Sequence, residues 1–140
     1  MKTRTLITLA FATVLAGTWA ISAAAAADWT MKADIPFAFQ VGSTRMPAGV
    51  YNFSRYNNNG VLLIRSANGE VTLVTNGSPL DASRTGISPR VIFNSYGDRC
   101  FMRRVVLGGG YSMELPKSKL EAEYQASGGG FTPVEAAAVR

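Results

Sequence analysis

The fold of this chain is decided by the stretch Trp-Thr-Met-Lys-Ala-Asp-Ile-Pro-Phe-Ala-Phe-Gln-Val, which occupies residues 29–41. Every odd-numbered position in this stretch is apolar, and the even-numbered positions are mostly polar. Successive side chains of a β-strand point to opposite faces, so this alternation predicts a long strand with one buried face. Pro36 cannot donate a hydrogen bond to a neighbouring strand. It therefore marks an edge strand or an irregularity that splits the strand in two.

Short alternating segments separated by turn residues continue the pattern toward the C-terminus. They predict strands at 50–56, 61–66, 70–75, 91–96 and 99–107, and a short extended piece at 111–115. The turns between them are Asn57-Asn58-Asn59-Gly60, Asn68-Gly69 and Gly97-Asp98, whose residues tolerate positive φ angles. Residues 76–90 show little periodicity and predict a long loop.

One short helix is predicted near the C-terminus, at 119–126. Ser118 and Glu121 have the spacing of a capping box, in which the serine hydroxyl accepts from the backbone N–H of the glutamate. A helix of this length is unstable alone and must lie on the sheet. We therefore predict a mainly β fold, a small antiparallel sandwich or partly open barrel of about 6–8 strands with one short C-terminal helix.

The composition excludes several kinds of active site. The 140 residues include no histidine and a single cysteine, Cys100. Catalysis by Ser–His–Asp or Cys–His is therefore excluded, as are zinc sites that use histidine, an intramolecular disulfide and a Cys-x-x-Cys redox pair. We expect no cofactor and no metal. Cys100 is interpreted as a small strand residue in preference to a reactive or intermolecular thiol.

The first 27 residues have the features of a secretory signal peptide. Lys2 and Arg4 are followed by an uncharged, largely apolar run that ends in five alanines, Ala23 to Ala27, before Asp28. Signal peptidase accepts small residues at −3 and −1, so cleavage is predicted after Ala27, with Ala25 as the second choice. The alternative is an uncleaved membrane anchor.

Cleavage defines the expected organisation of the chain: a signal peptide at 1–27, a single β-rich domain at 28–126 and a flexible C-terminal tail at 127–140. The mature protein is expected in the periplasm or outside the cell, with no membrane attachment. Loss of Lys2 and Arg4 lowers the formal net charge from +5 to +3. That charge is too small to indicate nucleic-acid binding, which normally uses a clustered basic face.

Four sequence blocks carry a resemblance that covers most of the mature chain, from about residue 33 to 123. The blocks are Ile35-Pro36-Phe37-Ala38-Phe39, Met46-Pro47-Ala48-Gly49-Val50-Tyr51, Phe93-Asn94-Ser95-Tyr96-Gly97-Asp98-Arg99-Cys100-Phe101 and Leu115-Pro116-Lys117-Ser118-Lys119-Leu120-Glu121. In their order and spacing they resemble an uncharacterised family of small exported β-rich bacterial proteins of the acidobacterial type. The resemblance implies export and a compact β domain, and it implies no activity, cofactor or site. At Cys100 the family usually has an aromatic residue.

One candidate ligand site follows from the residues themselves. The segment Lys117-Ser118-Lys119 lies at the predicted helix N-terminus, where free amide hydrogens and the helix dipole favour an anion. Arg99, Arg103 and Arg104 lie on the preceding predicted strand and can contribute further positive charge. The competing interpretation is that both lysines are solvated residues that flank a helix cap.

Other chemically capable side chains have a simpler structural interpretation. The carboxylates with catalytic potential are Asp98, Glu114, Glu121 and Glu123, of which three have turn, cap or helix-surface roles, and we predict no catalytic residues and no enzyme activity. The aromatic side chains with potential to stack on sugars are Tyr51, Phe53, Tyr56 and Tyr111. Alternating aromatics on strands more often pack in the core or against neighbouring strands.

Two functions remain open at this level. The first is a non-catalytic structural or interaction protein of the bacterial cell envelope, with an envelope protein or glycan as partner or as a homo-oligomer built through exposed strand edges. The alternative is a binding module for an anionic or glycan ligand that uses the Lys117, Ser118 and Lys119 cap with the nearby arginines.

Signal-peptide cleavage is the first testable prediction. We expect the exported protein to begin at Asp28, because Ala25 and Ala27 place small residues at −3 and −1. Intact-mass spectrometry of the protein recovered from the periplasm or medium measures this start directly. Replacing both alanines by arginine blocks cleavage and leaves the precursor mass. A full-length mass for the unmodified chain, recovered with membranes, contradicts the prediction.

Overall fold

The computed structural model describes residues 30–56, 59–70, 72–80 and 87–139, so the predicted signal peptide lies outside the described part. The predicted fold class is confirmed: the protein is mainly β, with two sheets, one of which is curled into a half-barrel, and a single short C-terminal helix. The described residues form eleven strands, more than the roughly 6–8 predicted, because several short strands of only three residues are included.

The strands are β1 (Thr30–Ile35), β2 (Phe39–Val41), β3 (Thr44–Met46), β4 (Gly49–Arg55), β5 (Val61–Ser66), β6 (Thr72–Asn76), β7 (Ser78–Leu80), β8 (Arg90–Tyr96), β9 (Arg99–Val106), β10 (Ser112–Glu114) and β11 (Thr132–Ala137). The helix α1 (Lys119–Ala126) lies between β10 and β11, and a 3₁₀ turn covers Gly108–Gly110.

The strands form two sheets that share one core. The first sheet has the order β1-β4-β5-β6, and each strand pairs with its neighbour in the antiparallel direction. The second sheet has the order β11-β8-β9-β10-β7. A small hairpin of β2 and β3 joins the second sheet through a parallel pairing of β2 with β9.

Pro36 divides the decisive stretch between the two sheets. Residues 30–35 form β1 at the edge of the first sheet, and residues 39–41 form β2 in the second. The predicted alternation is confirmed in β1, where Met31, Ala33 and Ile35 are buried and the residues between them are exposed. Because proline lacks a backbone N–H, the hydrogen-bond ladder of the strand is interrupted at Pro36 with little loss of stability. The chain uses the interruption to cross from one sheet to the other.

The core lies between the inner faces of the two sheets and is centred on aromatic side chains. The Phe39 ring packs edge-on against Tyr51 of the first sheet and Phe93 of the second, with both centroid distances 5.3 Å. All three side chains are fully buried or nearly so. Such contacts contribute about 0.5–1.5 kcal/mol per pair beyond the area buried. Phe39 therefore holds the two sheets together.

The outer face of the second sheet is covered by α1. Phe101 on β9 contacts Tyr96 of β8 and Tyr124 of the helix, at centroid distances of 5.7 and 5.8 Å. Tyr96 also lies 5.9 Å from the ring of Phe131, which precedes β11. The predicted docking of the helix on the sheet is confirmed, with the bounds 119–126 as expected.

The predicted flexible tail at 127–140 is wrong at residues 132–137. Residues 132–137 form β11, which pairs with β8 along six residues, from Thr132 opposite Ser95 to Ala137 opposite Arg90. The β-rich domain therefore continues past residue 126. The segment was misinterpreted because it contains three glycines, three alanines and a proline, which have low strand propensity, whereas pairing with β8 overrides that preference.

The predicted loop at 76–90 also contains a strand, β7, which pairs with β10. The chain passes from the first sheet to the second at Gly77, between β6 and β7. The Gly77 N–H donates to the Gly60 carbonyl at 2.7 Å. Gly60 has a φ of +75°, and a Cβ there would overlap the Gly77 carbonyl oxygen. The close approach of the two backbones therefore requires glycine at position 60.

Phe39 gives a direct test of the core. We expect Phe39→Ala to lower the free energy of unfolding by about 3–5 kcal/mol, since it removes a ring packed against both sheets. The matched control is Tyr56→Ala, which truncates a side chain that is 67% exposed and should change stability by less than about 0.5 kcal/mol. Urea unfolding of the three proteins measures the difference. Similar losses for both variants contradict the assignment of Phe39 as the link between the sheets.

Candidate functional site

The predicted cap at the start of α1 is present. The Ser118 hydroxyl accepts a hydrogen bond from the Glu121 N–H at 3.1 Å, and the Ser118 backbone is extended, as expected for an N-cap residue. The hydroxyl of Ser118 is therefore already hydrogen-bonded to the first turn of the helix. Among the described residues, the Ser118 backbone carbonyl accepts from the Ala122 N–H, which closes the first helical turn.

The two lysines beside the cap differ in their surroundings. The Lys117 ammonium donates to the side-chain oxygen of Gln125 at 2.6 Å, so it lies along the helix surface toward the C-terminal end. Lys119 is exposed at the first helical position. The charges of Lys117 and Lys119 therefore lie in different places and do not meet above the helix N-terminus.

Arg103 and Arg104 both bind a carboxylate on the neighbouring strand. A bulge between β8 and β9 makes Arg103 an extra residue, because Ile92 pairs with Arg104 and Phe93 pairs with Met102. Glu114 on β10 lies directly opposite Arg104 and binds both guanidinium groups, at 2.5 Å to Arg103 and 3.4 Å to Arg104. Arg103 also donates to the Leu115 carbonyl at 2.6 Å.

The six predicted site residues are therefore only partly brought together. A surface depression of about 250 Å³ is lined by Arg103, Glu114 and Lys117 together with residues of β7 and of the segment after β10. The lining of this depression does not include Ser118, Lys119, Arg99 or Arg104. Arg99 lies over the Tyr124 ring instead, 5.9 Å from its centroid. Of the two predicted cations that meet here, Arg103 is compensated by Glu114, and Lys117 donates to the neutral Gln125 side chain.

Glu121 has a role that its sequence position did not reveal. It is 2% exposed, and its carboxylate points down onto the outer face of β8. The Asn94 amide donates to one carboxylate oxygen at 2.9 Å, and the Tyr96 hydroxyl donates to the same oxygen at 3.2 Å. A buried carboxylate requires such donors. Asn94 and Tyr96 both lie on the outward face of β8, and that spacing is the only sequence signal for the arrangement.

Burial raises the pKa of the Tyr96 phenol, and the negative charge of Glu121 and the hydrogen bond to it act in the same direction. The positive charge of Arg103 opposes them. The phenol therefore keeps its proton and remains a donor to Glu121 well beyond neutral pH. Together, Glu121, Asn94 and Tyr96 form a buried polar anchor that fixes α1 to the second sheet.

The remaining candidates have structural surroundings. Cys100 is a half-buried free thiol on β9 and packs against the core. Tyr51 and Phe53 are buried, so the alternative of a sugar-stacking platform that includes them is wrong. The Tyr111 ring lies under the Arg55 guanidinium at 4.5 Å. Within the described ranges, no three histidine, cysteine, aspartate or glutamate side chains cluster as metal ligands.

The edge of the first sheet at β6 is the feature with the clearest capacity for an interaction. In the described ranges β6 pairs with β5 on one side and with no strand on the other. Its sequence, Thr-Leu-Val-Thr-Asn, contains no charge and no proline. Val74 at its centre points outward and is 57% exposed. An open strand edge presents N–H and C=O groups that another strand can pair with.

Comparison with protein-family models, with curated proteins and with solved structures found no match for this chain. The family resemblance drawn from the four sequence blocks therefore stays a prediction. None of the helices formed by the described residues has the length and apolarity needed to cross a bilayer. The function is therefore inferred from the surfaces of the protein itself.

The buried anchor gives the prediction for this region. Glu121→Ala keeps the capped N–H but leaves Asn94 and Tyr96 without their acceptor, so we expect a loss of about 2–3 kcal/mol in unfolding free energy. Glu123→Ala is the matched control, because Glu123 is an exposed carboxylate on the same helix and its loss should cost less than about 0.5 kcal/mol. Urea unfolding at neutral pH compares the two variants. Equal free energies of unfolding for the two variants contradict a stabilising role of the anchor.

Proposed function

We propose that this protein is a non-catalytic structural or interaction protein of the bacterial cell envelope that associates with a second copy of itself through β6. The observation that carries the proposal is the uncharged outer edge of β6, with which no strand pairs in the described ranges. Antiparallel pairing of two such edges joins two four-stranded sheets into one continuous sheet and satisfies the free backbone groups of both strands.

The other sheet edges carry features that discourage pairing. The Val139 N–H donates to the Lys32 carbonyl at 2.8 Å, and Ala138 bridges to Ala33, so the C-terminal residues cover β1. The edge strand β7 is three residues long and contains Pro79, and β11 contains Pro133. Prolines and short strands are the usual protection of sheet edges. The contrast with β6 supports the choice of β6 as the pairing edge.

The sequence of β6 suits pairing with its own copy. A two-fold axis through Val74 places Val74 opposite Val74, Leu73 opposite Thr75 and Thr72 opposite Asn76. No like charges meet in this register, and the central apolar pair covers two side chains that are exposed in the single chain. A shared surface of this kind, with the same patch on both copies, is typical of two-fold dimers.

The envelope location rests on the signal-peptide features at 1–27. The non-catalytic character is supported by the structural uses of the polar side chains, since Glu114 binds two arginines and Glu121 anchors the helix. The alternative of a ligand module at the helix cap has less support. Arg103 and Lys117, the two predicted cations that share a depression, already bind Glu114 and Gln125.

Self-association is tested with a charge placed on the edge. We expect the processed protein to reach twice the monomer mass in a concentration series by sedimentation equilibrium, and Val74→Lys to remain monomeric because two lysines would meet on the axis. Val139→Lys is the matched control. It places the same charge on a valine that is 41% exposed elsewhere, and it should leave association unchanged.

Circular dichroism confirms that Val74→Lys is folded. Two results contradict the proposal: a monomeric unmodified protein across the concentration range, or association that survives Val74→Lys.

A further inference from the structure

A second surface of the first sheet carries a pattern of its own, on the face turned away from the core. The registers of β1, β4, β5 and β6 align outward-pointing residues into two rows that span all four strands. One row is Lys32, Asn52, Arg65 and Thr72, and the other is Thr30, Ser54, Leu63 and Val74. The first row is basic and polar, and the second combines hydroxyl groups with apolar side chains.

The two rows border a shallow surface depression of about 390 Å³. Residues from both rows line it, on three adjacent strands: Thr30, Lys32, Asn52, Ser54, Leu63 and Arg65. Lys32 and Arg65 are exposed at its sides, and the half-buried Leu63 lies in the second row. The depression is therefore a groove with two cations, a side-chain amide, two hydroxyl groups and an apolar contact.

Within the part of the chain that the structure describes, the cations of this groove take part in no ion pair, in contrast to Arg103 and Arg104. The ion pairs found among the described residues join Arg90 to Glu135, and Arg103 and Arg104 to Glu114, and none includes Lys32 or Arg65. Asp34 is the single carboxylate on the outward face of the described strands of this sheet, and it does not line the groove. The cationic side chains are thus available to an external anion.

The spacing of the two cations indicates an extended ligand. Lys32 and Arg65 are two strands apart in one row, or roughly 10 Å between backbones at the usual strand spacing. The groups between and beside them are an amide and hydroxyls, which both donate and accept hydrogen bonds as sugar hydroxyls do. Leu63 offers an apolar contact for the C–H face of a sugar ring.

We propose that this groove, formed by Lys32, Asn52, Ser54, Leu63 and Arg65, binds a segment of an acidic polysaccharide. Lys32 and Arg65 bind carboxylate groups of the sugar chain, and Asn52 and Ser54 bind hydroxyl groups between them. The lining of the groove comes from β1, β4 and β5 and includes no residue of β6 or of the helix cap. The site does not depend on association of two copies.

The test uses the processed protein and oligogalacturonate, a sugar chain with one carboxylate per unit, titrated by calorimetry at low salt. We expect saturable binding that weakens as salt is added. Lys32→Gln and Arg65→Gln should each weaken binding about fivefold, as expected for one exposed charge contact. The double variant should lose roughly 25-fold, because separated sites act additively.

Three comparisons make the result specific. Arg45→Gln removes an exposed charge on β3, outside the groove, and should leave the affinity unchanged. A neutral maltooligosaccharide of the same length and inorganic phosphate should each bind far more weakly than oligogalacturonate. Absent binding, equal binding of the neutral chain or phosphate, or an equal effect of Arg45→Gln overturns the proposal. Sedimentation of the Lys32 and Arg65 variants separates this result from self-association, which they should retain.

Discussion

The whole architecture depends on how one alternating stretch is interrupted at Pro36. A single uninterrupted strand would belong to one sheet, whereas the break assigns β1 to the first sheet and β2 to the second. Phe39 then lies three residues beyond the break, with its ring between Tyr51 and Phe93. The covalent link and the aromatic contact act at the same place, so the two sheets are held face to face from the start of the described chain.

The two sheets consequently have different free surfaces. The second sheet is covered on its inner face by the core and on its outer face by α1, which is fixed through the buried Glu121 and the ring of Tyr124. Its charged residues are largely used within the fold. The first sheet has no helix on its outer face among the described residues, and its β6 edge is open. A two-fold axis through Val74, perpendicular to the sheet, would keep the outer faces of both copies on one side.

The sequence predicted the positions of the main strands and of the helix along the chain well, because alternation and turn residues are local signals. It failed where long-range pairing decides the outcome. Residues 132–137 have weak strand propensity and became β11 only because β8 offers a partner. The prediction of the cation site was wrong for a related reason. It placed Arg103 and Arg104 at the site because they are close in sequence, but the bulge and Glu114 on another strand determine where their charges lie.

By itself the sequence determined that the chain is β-rich, that the apolar side chains of β1 share one side of that strand, and that histidine-based chemistry and an intramolecular disulfide are excluded. These properties follow from residue type and from the two-residue period of a strand, which need no partner. Only the tertiary structure decided that Glu121 is buried, that Lys32 and Arg65 share a row, and that β6 is left at an edge. Register and strand order depend on contacts between residues far apart in the chain, and no local pattern encodes them.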